Sequence, residues 1–154
     1  MKDAIIKWGE EKVLGGINCF VNQEGRVIIL NCNRRIVKEK EFHSCIPLCD
    51  TTIESLEKYD DDLWSEFDVF TNKVITDNGE IICGGEGQMG NQGFITCTNS
   101  NNEFIWSLFF VDSNPFYKIN IEGNEVHAFS SYNLVFIINL KKPWIVKIEK
   151  KMWQ

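Results

Sequence analysis

Residues 85–90 match the glycine spacing of a phosphate-binding loop, G-x-G-x-x-G. Such loops use glycine because a backbone without side chains can bring several N–H groups close to a pyrophosphate. In the nucleotide-binding proteins that share this spacing, the loop joins a strand to a helix. Here the loop leads into residues 94–97, which have the composition of another strand. The sequence therefore favours a tightly bent hairpin, or a glycine loop at a partner interface, over a nucleotide site.

His43, Cys45 and Cys49 have the side chains and close spacing of a partial zinc site. Structural zinc is held by four ligands, commonly as two close pairs of cysteine or histidine. The fourth ligand would have to come from a remote part of the chain. Ile46 and Pro47, between the two cysteines, are more typical of a loop that packs into a core. We predict no cofactor, although the sequence does not decide whether these cysteines bind zinc.

Side chains for nucleophilic or metal-dependent catalysis are scarce. A cysteine nucleophile needs a histidine base, and the chain contains only His43 and His127. His127 lies on the polar side of an alternating strand pattern, which is typical of a surface histidine. The sequence contains no G-x-S-x-G elbow, no H-E-x-x-H and no P-loop. We therefore predict that the protein is not an enzyme.

Acidic residues are concentrated in residues 50–68, which we call the acidic segment. It contains eight carboxylates and one lysine, so its charge is −7, whereas the whole chain carries −6. Charge runs are commonly solvated faces that maintain solubility. A concentrated negative field also speeds association with cationic proteins and repels nucleic acid. The run Asp60-Asp61-Asp62 lacks the glycine and the distal glutamate that a calcium loop needs, so we predict no metal site there.

Part of the acidic segment is predicted to form a partner-binding surface. Its carboxylates would steer a basic protein into contact, and a tryptophan would then be buried as an apolar anchor. The predicted residues are Glu57, Asp60, Asp61, Asp62, Trp64 and Glu66.

The six cysteines bear on the cellular compartment. An even number is compatible with three disulfides, but the N-terminus has no recognisable secretion signal. Several cysteines lie inside apolar strand patterns, where they behave as small hydrophobic residues, so we expect free thiols. The longest apolar runs are far shorter than the ~20 residues of a spanning helix. The sequence therefore predicts a cytoplasmic protein without a membrane segment.

Most of the chain is predicted as short strands separated by turns. The strongest turn signal is Asn78-Gly79, because both residues tolerate the positive φ that a two-residue hairpin requires. The predicted strands are residues 13–21, 26–31, 67–76, 80–84, 93–98, 104–111, 117–121, 125–129, 134–139 and 144–148.

Two short helices complete the prediction. One begins after Thr51 or Thr52 as its N-cap and has Ile53 and Leu56 on its apolar side. The other runs over residues 3–14 and is ended by two glycines. The length of 154 residues suits one domain, so residues 1–154 are assigned to one. The predicted class is mainly β (β-rich α+β): an antiparallel meander forming a sandwich or open barrel with one or two short helices.

Several features resemble the small, acidic, strand-rich bacterial proteins that neutralise toxins delivered between competing cells. They are the Trp106-Ser107-Leu108-Phe109-Phe110 strand, the Ser113-Asn114-Pro115-Phe116 turn, the acidic segment and the lack of catalytic residues. Immunity proteins have many unrelated folds, so the resemblance implies a role and not an architecture. It implies tight one-to-one binding to a cognate toxin, often a basic nuclease, cytoplasmic residence and no catalysis.

Two main functional hypotheses follow, besides a third in which the chain is a structural subunit that adds an exposed strand edge to a partner. The first is a non-enzymatic immunity protein, as in toxin–antitoxin pairs, that binds a basic cognate protein, for example a toxin nuclease domain, and neither nucleic acid nor membrane. The alternative is an enzyme or carrier for a small molecule, nucleotide or metal. It would use the loop between Gly84 and Gly93 together with His43, Cys45 and Cys49.

Overall fold

The computed structural model describes residues 3–131 and 133–150. Two short helices and fourteen strands lie in these ranges, and neither helix is long and apolar enough to cross a membrane. In chain order the elements are α1 (Asp3–Gly9), β1 (Lys12–Leu14), β2 (Cys19–Asn22), β3 (Arg26–Val37), β4 (Lys40–Thr52), α2 (Ile53–Glu57), β5 (Trp64–Glu66), β6 (Asp68–Val69), β7 (Val74–Ile75), β8 (Ile81–Glu86), β9 (Gly93–Thr98), β10 (Phe104–Phe110), β11 (Phe116–Glu122), β12 (Glu125–Ser130), β13 (Leu134–Asn139) and β14 (Val146–Lys150).

Twelve of these strands form one antiparallel sheet that curls into a half-barrel, which confirms the predicted fold class. The order is β11-β12-β13-β14-β4-β3-β2-β10-β9-β8-β6, and β7 also pairs with β8. Three meanders therefore lie side by side: β11 to β14, β2 to β4, and β8 to β10. The pairing of β14 with β4 joins the first meander to the second, and the pairing of β2 with β10 joins the second to the third.

The central strands of the sheet bury side chains on both faces. Successive residues alternate between an inner core, on the concave side, and an outer core beneath α1, α2 and the small β1–β5 sheet. This alternation follows from the two-residue period of a strand. It explains why these strands are almost continuously apolar in sequence. The alternating pairs, inner residue first, are Phe20 with Val21, Ile95 with Phe94, and Leu108 with Phe109.

Asn72 joins the two ends of the curled sheet. It lies between β6 and β7, and its side-chain amide donates to the carbonyl of Ile119 in β11 at 3.0 Å. Its side-chain oxygen accepts from the Ile119 N–H at 3.1 Å. An asparagine side chain thus satisfies both backbone groups of a residue on the free edge of β11, much as a neighbouring strand would.

Strand β4 is absent from the sequence-based prediction. Proline normally excludes a central-strand assignment, and Pro47 falls in the middle of β4. In the structure Pro47 lies opposite Leu30 at a bulge, where the register against β3 shifts. The unpaired residue of the bulge is Leu48, and the Leu30 N–H donates outside this strand pair, to the Asn18 carbonyl. The missing N–H of proline therefore falls where the ladder is already irregular.

Several predicted boundaries and one turn type are wrong. The predicted strand 26–31 continues to Val37 as β3, and the predicted strand 144–148 lies at Val146–Lys150 as β14. The predicted strand 13–21 is divided into β1 and β2, and the predicted strand 67–76 into β6 and β7. The first helix ends at Gly9 rather than at residue 14. The Thr76 N–H donates to the Glu80 carbonyl, so the loop has three residues, 77–79, rather than two, and of these only Gly79 has a positive φ. The turn with positive φ at both residues is Lys38-Glu39, which joins β3 to β4.

The cysteine prediction is wrong for one pair. Cys32 and Cys45 are directly opposite in β3 and β4 and form a disulfide. The remaining four cysteines, Cys19, Cys49, Cys83 and Cys97, are free thiols as predicted. Sequence patterns could not reveal the pair, because strand β4 and its register were themselves unpredicted.

Candidate functional site

Helix α2 positions the first carboxylates of the acidic segment. Thr52 is its N-cap, and the Thr52 hydroxyl accepts a hydrogen bond from the Ser55 N–H at 3.1 Å. The predicted helix is confirmed at this end, although it closes after five residues, at Glu57. Ile53 is buried in the outer core and fixes the helix against the sheet. Glu54 and Glu57 therefore remain on the solvent side.

The loop after α2 holds three consecutive aspartates in solvent. Its backbone is fixed at one end by the N–H groups of Tyr59 and Asp60, which donate to the Leu56 carbonyl. It is fixed at the other end by Leu63, which is buried and accepts a hydrogen bond from the Gly15 N–H at 2.7 Å. The intervening carboxylates of Asp60, Asp61 and Asp62 are all exposed.

Tyr59 is the most exposed of the large apolar side chains in the described residues, at 89%. It stands between α2 and the three aspartates, so an aromatic ring and several carboxylates share one loop. The sequence-based prediction did not include Tyr59. Its only sequence signal was its position inside the acidic segment.

Trp64, the predicted anchor, has a structural role as well. It begins β5, pairs with Leu14 of β1 and packs half-buried against the outer core. The Lys7 ammonium lies 5.6 Å from its ring centroid. Its indole nitrogen is buried and has no hydrogen-bond partner among the described residues. Glu66, two residues further along, is exposed opposite Lys12.

Most of the acidic segment is not neutralised within the described part of the chain. Asp50 is the exception: it pairs with Arg26 at 2.7 Å, and the hydrogen bond from Arg26 lowers the pKa of Asp50. The other seven carboxylates have no cationic group within 4.0 Å among the described residues. They are Glu54, Glu57, Asp60, Asp61, Asp62, Glu66 and Asp68.

A further carboxylate lies beside the acidic segment on the strand pair β6–β8. Asp68 and Glu86 are directly opposite in the ladder, and like charges in that position are destabilising. Val69 and Phe70, next to Asp68, are 43% and 50% exposed. Carboxylates and exposed apolar side chains thus occur together here too, at the edge of the sheet.

The glycine loop between β8 and β9 lies against the same surface. The Gln88 N–H donates to the Ser65 hydroxyl in β5 at 3.2 Å. Met89, at the tip of this loop, is 60% exposed. The loop therefore carries an exposed apolar side chain one residue after its contact with β5.

Comparisons with protein-family models, with curated proteins and with solved structures found no match. The likeness to immunity proteins therefore stays a prediction.

Three consecutive backbone amides of the glycine loop, at residues 87–89, are already occupied. The Gly87 N–H donates to the Gln92 carbonyl, and the Met89 N–H donates to the Gln92 side chain. With Gln88 bonded to Ser65, no amide of residues 87–89 is left to hold a phosphate. This geometry does not favour the nucleotide alternative.

The residues of the suggested zinc site do not converge. The sulfur of Cys45 is bonded to Cys32, and Cys49 is exposed beyond the bulge in β4. His43 bonds to Glu41, with 3.1 Å between its Nε2 and the carboxylate. Among residues 3–131 and 133–150, no group of three or more histidine, cysteine or acidic side chains is arranged to hold a metal ion.

Three of the free thiols are poor nucleophiles. Burial raises the pKa of both Cys19 and Cys97 to about 12, and it also raises the pKa of Cys83. The reactive species of cysteine is the thiolate, which is therefore almost absent from these three positions at neutral pH.

Proposed function

We propose that this chain is a non-enzymatic protein-binding domain, an immunity protein that neutralises a basic cognate toxin in the bacterial cytoplasm. The binding surface consists of the carboxylates of Glu57, Asp60, Asp61, Asp62 and Glu66, with Tyr59 as its apolar centre. The exposed part of Trp64 lies at its margin. The toxin class and the compartment rest on the resemblance described above, whereas the surface rests on the geometry.

One observation supports the proposal most strongly: exposed carboxylates that form no ion pair with the described residues lie on both sides, along the chain, of a tyrosine that is 89% exposed. Unpaired like charges repel one another and weaken the folded state. A cationic partner would relieve this repulsion. Tyrosine is enriched among the residues that dominate binding energy, because it buries a large ring while its hydroxyl finds a hydrogen bond.

The rigidity of the scaffold suits such a role. The loop that carries Tyr59 is fixed at Ile53 and Leu63, both 3% exposed. Little loop ordering would be needed on binding, so less of the interaction energy would be spent on it. Met89 and Phe70 supply further apolar area near the carboxylates.

The proposal predicts how charge affects the rate of association. The partner to test is the C-terminal domain of a large secreted protein, if one is encoded directly upstream. In a variant with Glu57→Gln, Asp60→Asn, Asp61→Asn, Asp62→Asn and Glu66→Gln, we expect association at low salt to be about tenfold slower, because electrostatic steering is lost. The salt dependence of the rate should also be weaker. Stopped-flow or biosensor kinetics at several ionic strengths measure both.

A matched control separates local charge from net charge. Five exposed carboxylates elsewhere are converted to amides: Glu24, Glu39, Asp77, Glu122 and Glu149. Both variants have a net charge of −1, because each loses five of the charges that make the chain −6. The control should associate at close to the wild-type rate. Equal slowing of the two variants would refute a localised binding surface.

A further inference from the structure

The seam between β14 and β4 is the weakest junction of the sheet. Among the described residues, which end at Lys150, only Val146 and Cys45 are paired across it. Beyond this pair β4 continues with β3 to the hairpin turn, while β14 continues with β13. The two strands diverge and leave a cleft with a volume of about 760 Å³. Binding sites for small molecules typically have volumes of about 300–1,000 Å³.

The floor of the cleft is apolar. Phe110, Leu134 and Phe136 are buried side chains of the inner core that also line the cleft. Ile148 of β14 lies partly buried beside them. The rings of Phe110 and Phe136 are packed edge to face, with 4.8 Å between their centroids. Such a floor accommodates an alkyl chain or a small ring and offers it no hydrogen bond.

The rim carries a cluster of charges centred on Glu41. Arg34 forms an ion pair with it, Lys150 lies 3.6 Å away, and His43 lies 3.1 Å away. Burial raises the pKa of Glu41, but the hydrogen bonds and charges of Arg34 and His43 together bring it below the ordinary value. One ionised carboxylate is therefore shared by two permanent cations, which leaves an excess of one positive charge.

The cations on the rim keep free hydrogen-bond donors. The contact of Arg34 with Glu41 is made by its Nε, and within the described residues its two terminal nitrogens form no hydrogen bond. The side chains of Arg34 and Lys150 are 61% and 56% exposed. The paired terminal nitrogens of a guanidinium match the two oxygens of a carboxylate.

Asp112 also lines the cleft, two residues after Phe110. It forms no ion pair with any residue in the ranges 3–131 and 133–150. Its charge repels an anion and so favours an orientation in which an anionic head lies at the Arg34 and Lys150 side.

We propose that this cleft binds a small amphiphilic carboxylate, with the apolar body on the phenylalanine floor and the carboxylate held by Arg34 and Lys150. This ligand site is independent of the acidic segment. It also differs from the alternative considered from sequence, because only His43 of the residues suggested there lines this cleft.

Three probes test the proposal: octanoate, octanol and octyltrimethylammonium. Their alkyl chains have nearly the same length, and their head groups are negative, neutral and positive. Isothermal titration is carried out on the full chain below the concentrations at which the probes form micelles. We expect octanoate to bind at one site, octanol to bind at least about tenfold more weakly, and octyltrimethylammonium not to bind. Absence of octanoate binding, or equal binding of all three probes, would overturn the proposal.

Charge variants locate the site. Arg34→Gln and Lys150→Gln should each weaken octanoate binding by about tenfold. Asp112→Asn should strengthen it by about twofold, through loss of repulsion. Arg35→Gln is the matched control, because Arg35 is also exposed on β3 but does not line the cleft. Unchanged affinity in both Arg34→Gln and Lys150→Gln, or weaker affinity in Asp112→Asn, would contradict the assignment.

The two functional proposals can fail separately. The variant with five amides in the acidic segment should bind octanoate with wild-type affinity, since none of its substitutions lines the cleft. Thermal unfolding of each variant without ligand shows whether its fold is intact. The substituted rim residues are largely solvent-exposed, so we expect little loss of stability.

Discussion

Replacing Gly85 by alanine is expected to destabilise the protein by about 3 kcal/mol or more. A Cβ at this position would lie 1.9 Å from the Asp68 carbonyl oxygen and 2.7 Å from the Phe70 nitrogen. Both atoms belong to the backbone, so no rotation of a side chain relieves the clash. Strand β6 would have to leave β8. The hydrogen bonds from the N–H groups of Phe70 and Thr71 to the Gly84 carbonyl would then be lost.

The same loop contains a matched control. An added Cβ at Gly90 would meet no atom within 4 Å, so Gly90→Ala should change the stability by less than about 0.5 kcal/mol. Urea unfolding of the two variants measures both effects. A stable Gly85→Ala protein would show that this glycine is not required for the close approach of β6 to β8.

Replacing Asn72 by alanine should cost about 2 kcal/mol, because two partly buried hydrogen bonds of about 1 kcal/mol each are lost. The N–H and carbonyl of Ile119 would lose their partner at the edge of β11. Hydrogen exchange should therefore become faster at Ile119 and its neighbours. Urea unfolding with amide exchange measures both the global and the local effect.

Asn101→Ala is the control for this substitution. Asn101 is exposed in the turn between β9 and β10, and its side chain forms no hydrogen bond with the described residues. Its replacement should change the stability by less than about 0.5 kcal/mol. If Asn72→Ala were as stable as Asn101→Ala, Asn72 would not hold the ends of the sheet together.

The fold class could be predicted because most strands are recognisable from their own residues and the turns beside them. Strands β9 and β13 were predicted with the bounds that the structure shows, at Gly93–Thr98 and Leu134–Asn139. Each is a short apolar run between turn signals. The physical reason is that a strand with two buried faces needs little besides apolar side chains and a turn at each end.

The elements that were missed depend on distant partners. Strand β4 contains Pro47 and many exposed polar residues, so only its pairing with β3 identifies it as a strand. Asn72 resembles any polar loop residue until β11 is brought beside it. The Cys32–Cys45 disulfide likewise depends on the register of two strands. Local sequence carries no information about such long-range pairs.

The candidate sites were predictable to different extents. The charge of the acidic segment is visible in the sequence, and its carboxylates are solvated as a charge run suggests. Tyr59 was missed because its exposure of 89% is a property of the folded loop, and its sequence position does not reveal it. The cleft could not be predicted from sequence. Its lining residues Arg34, Phe110 and Lys150 lie far apart in the chain, on three different strands, and only the fold brings them together.

The central claim is that the acidic segment, and no other face of the protein, meets a cationic partner. Carboxylate footprinting tests it most directly: exposed acidic side chains are labelled with a carbodiimide and an amine, with and without the partner domain, and read by mass spectrometry. We predict strong protection of Glu57, Asp60, Asp61, Asp62 and Glu66, and none of Glu24 or Glu149. Unchanged labelling of the acidic segment in a saturated complex, or protection confined to another surface, would contradict the account.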